Sequence, residues 1–350
     1  MAPLLPSILS QSLPPATRIT FNSLLRFLLL ANSLVLMRIA IVGVGAVGGA
    51  FGARLVDAGH EVTFIARGAT LTALKTAGLR LESVDGDLLL PRVNATDNPS
   101  SVGPVDVVLV TVKSTQVESI ATQLRPLIGP TTAVIPLQNG VESSALLARV
   151  LGEGHVLEGL ARLIAEQDAP GRIKHTAVTP MMEFGPRSAT PVDAPARTQI
   201  APFAAALNAA GLHALTPVRM DLALWEKFLF IDPFGTVGAA TRAPIGIMRS
   251  VPETRALLDM CLREVRAVGA AVGVALGDEA IERTWQRYDM LPPESTASMQ
   301  RDLMAGRPSE LELQTGSVVR LGRVHRVPTP AHDVLYAVLI PLQRQPRHQG

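Results

Sequence analysis

The chain has 350 residues, enough for two domains. Hydrophobic residues make up 47% and charged residues 18%, the composition of a core-forming globular protein, which excludes a disordered one. With 32 basic against 30 acidic side chains, a formal net charge of +2 and no run of consecutive Lys or Arg, nucleic-acid binding leaves no footprint.

Residues 1–36 differ in composition from the rest of the chain. They hold Arg18 and Arg26, no acidic residue, and the apolar stretch "LLRFLLLANSLVL". A cleaved leader, a membrane anchor and a spurious upstream start compete as readings. Arg26 and Asn32 interrupt a stretch already too short to span a bilayer comfortably, and Met37 opens a complete first strand. We read 1–36 as an extension outside the fold, disordered or from a spurious start, and expect no membrane association.

"MRIAIVGVGAVGGAFGARLVDAGHEVTFIAR" (37–67) carries the strongest pattern. Ile39, Ile41 and Val42 make a short apolar strand of the kind buried in a parallel sheet. Gly43, Gly45 and Gly48 come next as G-x-G-x-x-G and open a helix. Gly43 permits the tight turn, Gly45 lets the backbone approach a pyrophosphate, and Gly48 lets the helix pack on the strand. Backbone N–H groups at the helix start then face the phosphates, so Gly43, Val44, Gly45, Ala46, Val47 and Gly48 form the expected cofactor-binding turn. Gly59 ends the helix and "HEVTFIA" is a second strand. At its end stands Arg67, where an NAD site usually places an acid, and no Asp or Glu lies between Glu61 and Glu82. A guanidinium there suits a 2′-phosphate, so NADP (NADPH) is the expected cofactor.

"VDVVLVTVKS" (105–114) and "TAVIPLQNGV" (132–141) read as further apolar strands, which places Lys113, Gln138 and Asn139 at the carboxyl ends where ligands of open parallel sheets lie. Residues 155–185 read as more strands, with His175 as a structural histidine. From about residue 217 apolar residues recur at three- and four-residue spacing, so helices take over, including the whole of "STASMQRDLMAGRPSELELQTGSVVRLGRVH". "VPTP" (327–330) is a rigid turn before the last helix. The one cysteine, Cys261, cannot form an internal disulfide; it occupies an apolar helical position and fits a reducing, cytoplasmic compartment.

In "LALWEKFLFI" (222–231), Lys227 has Ala223, Leu224, Phe230 and Ile231 at helical spacing, all apolar. An ammonium group there is either snorkelling to solvent or placed for chemistry. The expected architecture is an α/β, Rossmann-type dinucleotide-binding domain (37–216) followed by an all-helical domain (217–342) and a tail (343–350). The cleft between the domains is the expected substrate site.

From Met37 to about Leu342 the chain resembles the ketopantoate reductase family, which reduces 2-dehydropantoate with NADPH in pantothenate biosynthesis. The resemblance rests on "VGVGAVGG", Arg67, "TVKS" (111–114), "LQNGVE" (137–142), "GRIKH" (171–175), "LWEK" (224–227) and "SMQRDLMAGRPSELELQTG" (298–316). It implies that Lys227 donates the proton to the substrate carbonyl. It also implies that Glu310, on the same helix as Ser298, holds that lysine or the nascent hydroxyl. Ser298 and Asn139 would contact the substrate, and Lys113 would lie beside the nicotinamide. A lysine half-desolvated in this way has its pKa lowered toward neutrality, which suits a general acid.

The sequence departs from the family four and eight residues after the lysine, where Ile231 and Gly235 replace two asparagines. Ile231 is therefore read as a substrate-binding residue that makes the site more apolar, and Asp232–Pro233 as reshaping or ending the helix. A 2-oxo acid is the expected small-molecule partner, bulkier or less polar than ketopantoate. A homodimer is compatible with the sequence, which has no signal for or against it. A non-catalytic NADP-binding protein is the alternative from another class; retention of both Lys227 and Glu310 argues against it. A 3-hydroxy acid or polyol-phosphate dehydrogenase is the enzymatic alternative.

Overall fold

The computed structural model of the protein describes residues 36–344. The expectations for the segment before residue 36 and for the last six residues lie outside the described residues. Apolar strands and their connecting helices succeed one another from the start: β1 (Arg38–Val42), α1 (Ala46–Asp57), β2 (Glu61–Ile65), α2 (Gly68–Thr76), β3 (Leu79–Ser83), β4 (Leu88–Leu90) and β5 (Asn94–Thr96). Next come β6 (Val105–Val110), α3 (Val117–Ala121), β7 (Ile128–Pro136), α4 (Ser143–Leu151), β8 (Leu157–Ala169), β9 (Arg172–Pro186), α5 (Ile200–Ala209) and β10 (His213–Leu215).

The first sheet has the order β5-β2-β1-β6-β7 and all its pairings are parallel. Strand order therefore reverses between β1 and β6, which opens a crevice at their carboxyl ends. Residues 155–185 are strands, as expected, but they build a second, mixed sheet instead of extending the first. In it β9 pairs antiparallel with β8 along its length and parallel with β3 and β10 on its other side. The hairpin partners β3 and β4 are an insertion between α2 and β5.

Helix α1 is packed between the two sheets, and its glycines explain how. A Cβ on Gly49 would lie 2.5 Å from Ile173 Cγ1 of the second sheet, and one on Gly52 would strike the Phe64 ring of the first. Both faces of this helix are thus buried in one apolar cluster with Phe51, Phe64, Leu79, Ile173 and Phe184. The opposite face of the first sheet, with Val108 and Val110, is covered by Ile120 of α3, Leu124 of the 3-10 turn that follows it and Leu147 of α4.

The helical domain comprises α6 (Met220–Thr241), α7 (Ile245–Ser250), α8 (Pro252–Ala271), α9 (Glu279–Met290), α10 (Ser298–Met304), α11 (Thr315–His325) and α12 (Pro330–Arg344). Its core gathers Trp225, Phe228, Val237, Leu258, Cys261, Leu262 and Tyr288. Among the described residues no helix is long and apolar enough to cross a membrane.

Two helical expectations change. Helix α6 does not end at Asp232–Pro233 but continues through Pro233 to Thr241. A proline inside a helix costs about 3 kcal/mol. Burial of Phe234 and Val237 beyond it returns roughly 1.5–3 kcal/mol each, and packing on both sides of the proline keeps the helix whole. The 295–325 stretch is not one helix. Gly306, with φ +61°, and Pro308 stop α10, and a short 3-10 turn, Leu311–Leu313, precedes α11.

The glycine turn can be tested directly. Gly48 packs against the Gly43 carbonyl and the Thr111 hydroxyl, so Gly48→Ala puts its Cβ into backbone that cannot yield freely. The expected result is a loss of about 1–3 kcal/mol in stability, read as a lowered Tm; an unchanged Tm would show that helix and turn are not packed this closely.

Candidate active site

A cleft of about 940 Å³ runs along the carboxyl ends of β1, β2, β6 and β7 and is walled on its far side by α6 and the segment 291–310. The expected cofactor turn, Gly43 to Val47, lines it, with Gly48 behind at the strand–helix contact. Gly43 adopts φ +96°, and a Cβ there would lie 2.6 Å from Val112 N, so both torsion and space call for glycine. A Cβ on Gly45 would meet nothing within 4 Å. The backbone there is bare toward the cleft, as close approach of a pyrophosphate to the start of α1 requires.

Further along the same floor, Gln138 Nε2 donates to the carbonyls of Val110 (2.8 Å) and Val112 (3.0 Å), while its Oε1 is buried without a partner. A fixed orphan acceptor at the sheet's carboxyl end fits an amide donor such as a carboxamide. Arg67 is exposed at the end of β2, on the cleft rim with Thr70, and its guanidinium donates to Gln123 Oε1.

Lys227 projects from α6 into the opposite wall, only 8% exposed. Its Nζ donates to the Ala161 carbonyl of β8 at 2.8 Å. Burial pushes its pKa down to about 8; the Arg162 guanidinium adds to this, and Glu310 and Glu183 oppose it. Arg162 is itself held by Glu183 at 2.8 Å. The expected pairing of Lys227 with Glu310 is not a salt bridge. Both line the cleft, but Glu310 Oε2 accepts from Asn139 Nδ2 (2.8 Å) and Gln314 Nε2 (3.3 Å). Burial raises the Glu310 pKa from its ordinary value, against the Asn139 bond and the positive charges of Lys113 and Lys227. Glu310 sits at the start of the 3-10 turn and not within the helix of Ser298, because the backbone has already turned at Gly306.

Lys113 reaches across the cleft to Asp302 Oδ2 at 2.6 Å. Asn139 and Ser298 line the cleft as expected, Asn139 tied to Glu310 and Ser298 exposed at the start of α10. Ile231 is absent from the cleft lining and packs, half-buried, against the helical core. A helical residue four positions after Lys227 turns about 40° past it, and here the side chains that reach the cleft are Phe230 and Phe234. Gly235 is buried against Met299, which fills the space an asparagine would need. His175 is structural as expected: its ring bonds Ser83 Oγ at 2.8 Å and the carbonyls of Ala177 and Val178.

Sequence reasoning missed several members of the site. The Ala161 carbonyl gives no side-chain signal at all. Arg301 lines the cleft, and its place three residues after Ser298, on the same helix face, was the available clue. Leu163, Phe230, Phe234 and Leu291 supply an apolar section of wall.

A parallel sheet of this order, ending on a cleft that a helical domain walls with a buried lysine, defines a two-domain dinucleotide-binding protein of the oxidoreductase type. The family model "Ketopantoate reductase PanE/ApbA" matches residues 39–189, and "Ketopantoate reductase PanE/ApbA C terminal" matches residues 219–343. The chain therefore belongs to the ketopantoate reductase family. A 2-dehydropantoate 2-reductase of Mesorhizobium japonicum is 30% identical over 327 residues, covering 87% of this chain and 97% of that protein. The crystal structure of a PanE/ApbA family ketopantoate reductase from Ralstonia eutropha is 32% identical with a TM-score of 0.78, covering 88% of this chain and 98% of its own. That of the 2-dehydropantoate 2-reductase from Geobacter metallireducens is 29% identical with a TM-score of 0.79, covering 87% and 99%.

Gly45 separates cofactor binding from folding. Because its Cβ would enter open space, Gly45→Ala should leave the Tm unchanged while weakening dinucleotide binding, measured by fluorescence titration with NADPH and with NADH. A variant that binds as tightly as the parent would show that the phosphates do not pass over this residue.

Proposed function

We propose that the protein reduces a 2-oxo acid with NADPH, with Lys227 as the general acid. The observation that carries the reading is the buried Lys227 ammonium, anchored on the Ala161 carbonyl and facing the cleft, with its pKa lowered to about 8. NADPH, when bound along the glycine turn, supplies the hydride. As charge builds on the keto oxygen, Lys227 hands it a proton; a donor with a pKa near the operating pH does this best. One Nζ hydrogen stays on Ala161, which leaves the others for the substrate. Glu310, fixed by Asn139 and Gln314, keeps negative charge near the ammonium and counters the depression caused by burial and Arg162.

Ser298 and Arg301, one helical turn apart on α10, are the groups we assign to the substrate carboxylate. Arg67 is assigned to the 2′-phosphate of NADPH, since a guanidinium and no carboxylate occupies the end of β2. The substrate's far end would meet Phe230, Phe234 and Leu291. That wall supports a bulkier, less polar 2-oxo acid than ketopantoate, although Ile231, whose place in the sequence suggests a more apolar site, is not part of it. The same reading takes the cytoplasm as the compartment, in keeping with the buried thiol of Cys261.

Replacing Lys227 with Ala should lower kcat by about 10²–10⁴-fold while NADPH still binds. In the parent enzyme kcat should fall as pH rises through about 8, where the buried ammonium loses its proton. The sign separates this from unfolding: the unfolded lysine keeps its proton up to its ordinary value of 10.5, so between about 8 and 10.5 this group makes the fold more stable as pH rises. Near-parental kcat in Lys227→Ala would remove the assignment.

Arg67→Ala should raise the Kd for NADPH and leave that for NADH nearly unchanged, because only NADPH has a 2′-phosphate to lose. Equal losses would make Arg67 a structural residue. Across a panel of 2-oxo acids, kcat/KM should be higher for those with longer alkyl or aryl groups than for ketopantoate, at about 0.8 kcal/mol per methylene buried. Ketopantoate as the best substrate would refute the apolar-wall reading alone.

A further inference from the structure

We propose that a buried clasp, Asp232–His332–Glu264, is a positioning device for the reaction, acting through Thr236 and Thr315 on the segment that carries Glu310. The inference rests on the reading of Lys227 as the acid. His332 stands in the first turn of α12 with no exposure, its Nδ1 2.5 Å from Glu264 Oε2 of α8 and its Nε2 2.7 Å from Asp232 Oδ2 of α6. Glu264 also accepts the backbone N–H groups of Ala331 (2.8 Å) and His332 (3.0 Å), so three helices meet at one ring.

From Asp232 the bonds run on toward the site. Thr236 Oγ1 donates to Asp232 Oδ1 at 3.2 Å and lies 2.6 Å from Thr315 Oγ1. Thr315 opens α11, and the residue before it, Gln314, donates to Glu310. Asp232 itself lies between Phe230 and Phe234, the two rings of the cleft wall. Asp232, Thr236, Thr315 and His332 are all fully buried.

Buried ion clusters are poor stabilisers, and apolar residues of similar volume would hold three helices at least as well. What apolar packing would not supply is direction. Hydrogen bonds of defined geometry run from His332 to Thr315, the backbone carries the link to the adjacent Gln314, and Gln314 bonds the carboxylate that faces Lys227. Burial works against a charged His332 ring, but Asp232 and Glu264 outweigh it and hold its pKa at about 9. A pKa raised from 6.5 keeps the charged clasp formed up to about pH 9; its contribution to stability is complete below about 6.5 and is lost as pH rises through about 9, when two carboxylates face a neutral ring. Cys261 of α8 and Tyr288 of α9 also face Asp232; burial and that carboxylate keep both protonated. At the other end, the groups facing Lys227 are Arg162 of β8, Glu183 of β9 and Glu310.

The test is Thr236→Val, which keeps the shape and all three charges but removes the link, beside Thr236→Ser, which keeps the hydroxyl, and His332→Gln. Thr236→Val should lower kcat on the order of tenfold at an unchanged Kd for NADPH, since small misplacements of a positioned group are costly. It should also move the alkaline limb of kcat to lower pH, because a displaced Glu310 no longer favours the Lys227 ammonium. Thr236→Ser should restore both, and His332→Gln, where it folds, should match Thr236→Val. A folded Thr236→Val with parental kcat and limb, whatever its Tm, overturns the proposal and leaves the cluster a clamp. Should the parent protein reduce no 2-oxo acid, the reading of function has failed separately. The clasp is then judged by the pH dependence of acetic anhydride labelling at Lys227, read by mass spectrometry: a lower midpoint in Thr236→Val supports it and an unmoved midpoint overturns it.

Discussion

The structure turns on one costly placement, an ammonium group buried in the face of α6 with a single backbone carbonyl as its direct partner. An unpaired buried charge would neutralise or drive the side chain outward. Here the Ala161 carbonyl holds Nζ while Arg162 and Glu183 frame it from the neighbouring strands. That carbonyl is available because β8 belongs to the second sheet, which lies across α1 from the first and presents its early residues to α6. The second sheet therefore supplies one side of the lysine site and packing for the cofactor helix at once.

The same economy governs how the α/β domain meets the helices. Besides the contact of β8 with α6, a second group of contacts lies at the carboxyl ends of β6 and β7, where Lys113 bridges to Asp302, Asn139 holds Glu310, and Glu142 bonds Ser317 and Arg320. Gly140 adopts φ +119°, and any Cβ there would strike the Leu313 carbonyl, so the turn after β7 lies directly against the segment that carries Glu310. The residues that would order a cofactor and those that would meet the substrate thus share a joint, and movement of one domain on the other would be felt at both.

Much of this could be read from the chain, for identifiable reasons. The glycine turn is legible because each glycine answers a separate constraint, and the cleft comes from the carboxyl-end rule for parallel sheets. Lys227 stands out because helical periodicity makes a lone cation on an apolar face conspicuous. The partners of Lys227 were not legible: one is a backbone carbonyl, and Glu310 is held by an amide instead of by the lysine. Ile231 misleads because a spacing of four residues marks the same general face but not the same direction, and Phe230 and Phe234 take the wall. The continuity of α6 through Pro233 depends on tertiary packing that a local rule about proline does not weigh. Asp232, which reads as a helix breaker in isolation, is bonded by His332 from a helix a hundred positions away.

The most direct test of Lys227 as the proton donor is a crystal structure with NADP and a 2-hydroxy acid product bound in the cleft. That role requires Lys227 Nζ at hydrogen-bonding distance, about 2.6–3.2 Å, from the product hydroxyl while still donating to Ala161. A product whose hydroxyl rests on Lys113 or on solvent, with Lys227 bonded only to the protein, would contradict it.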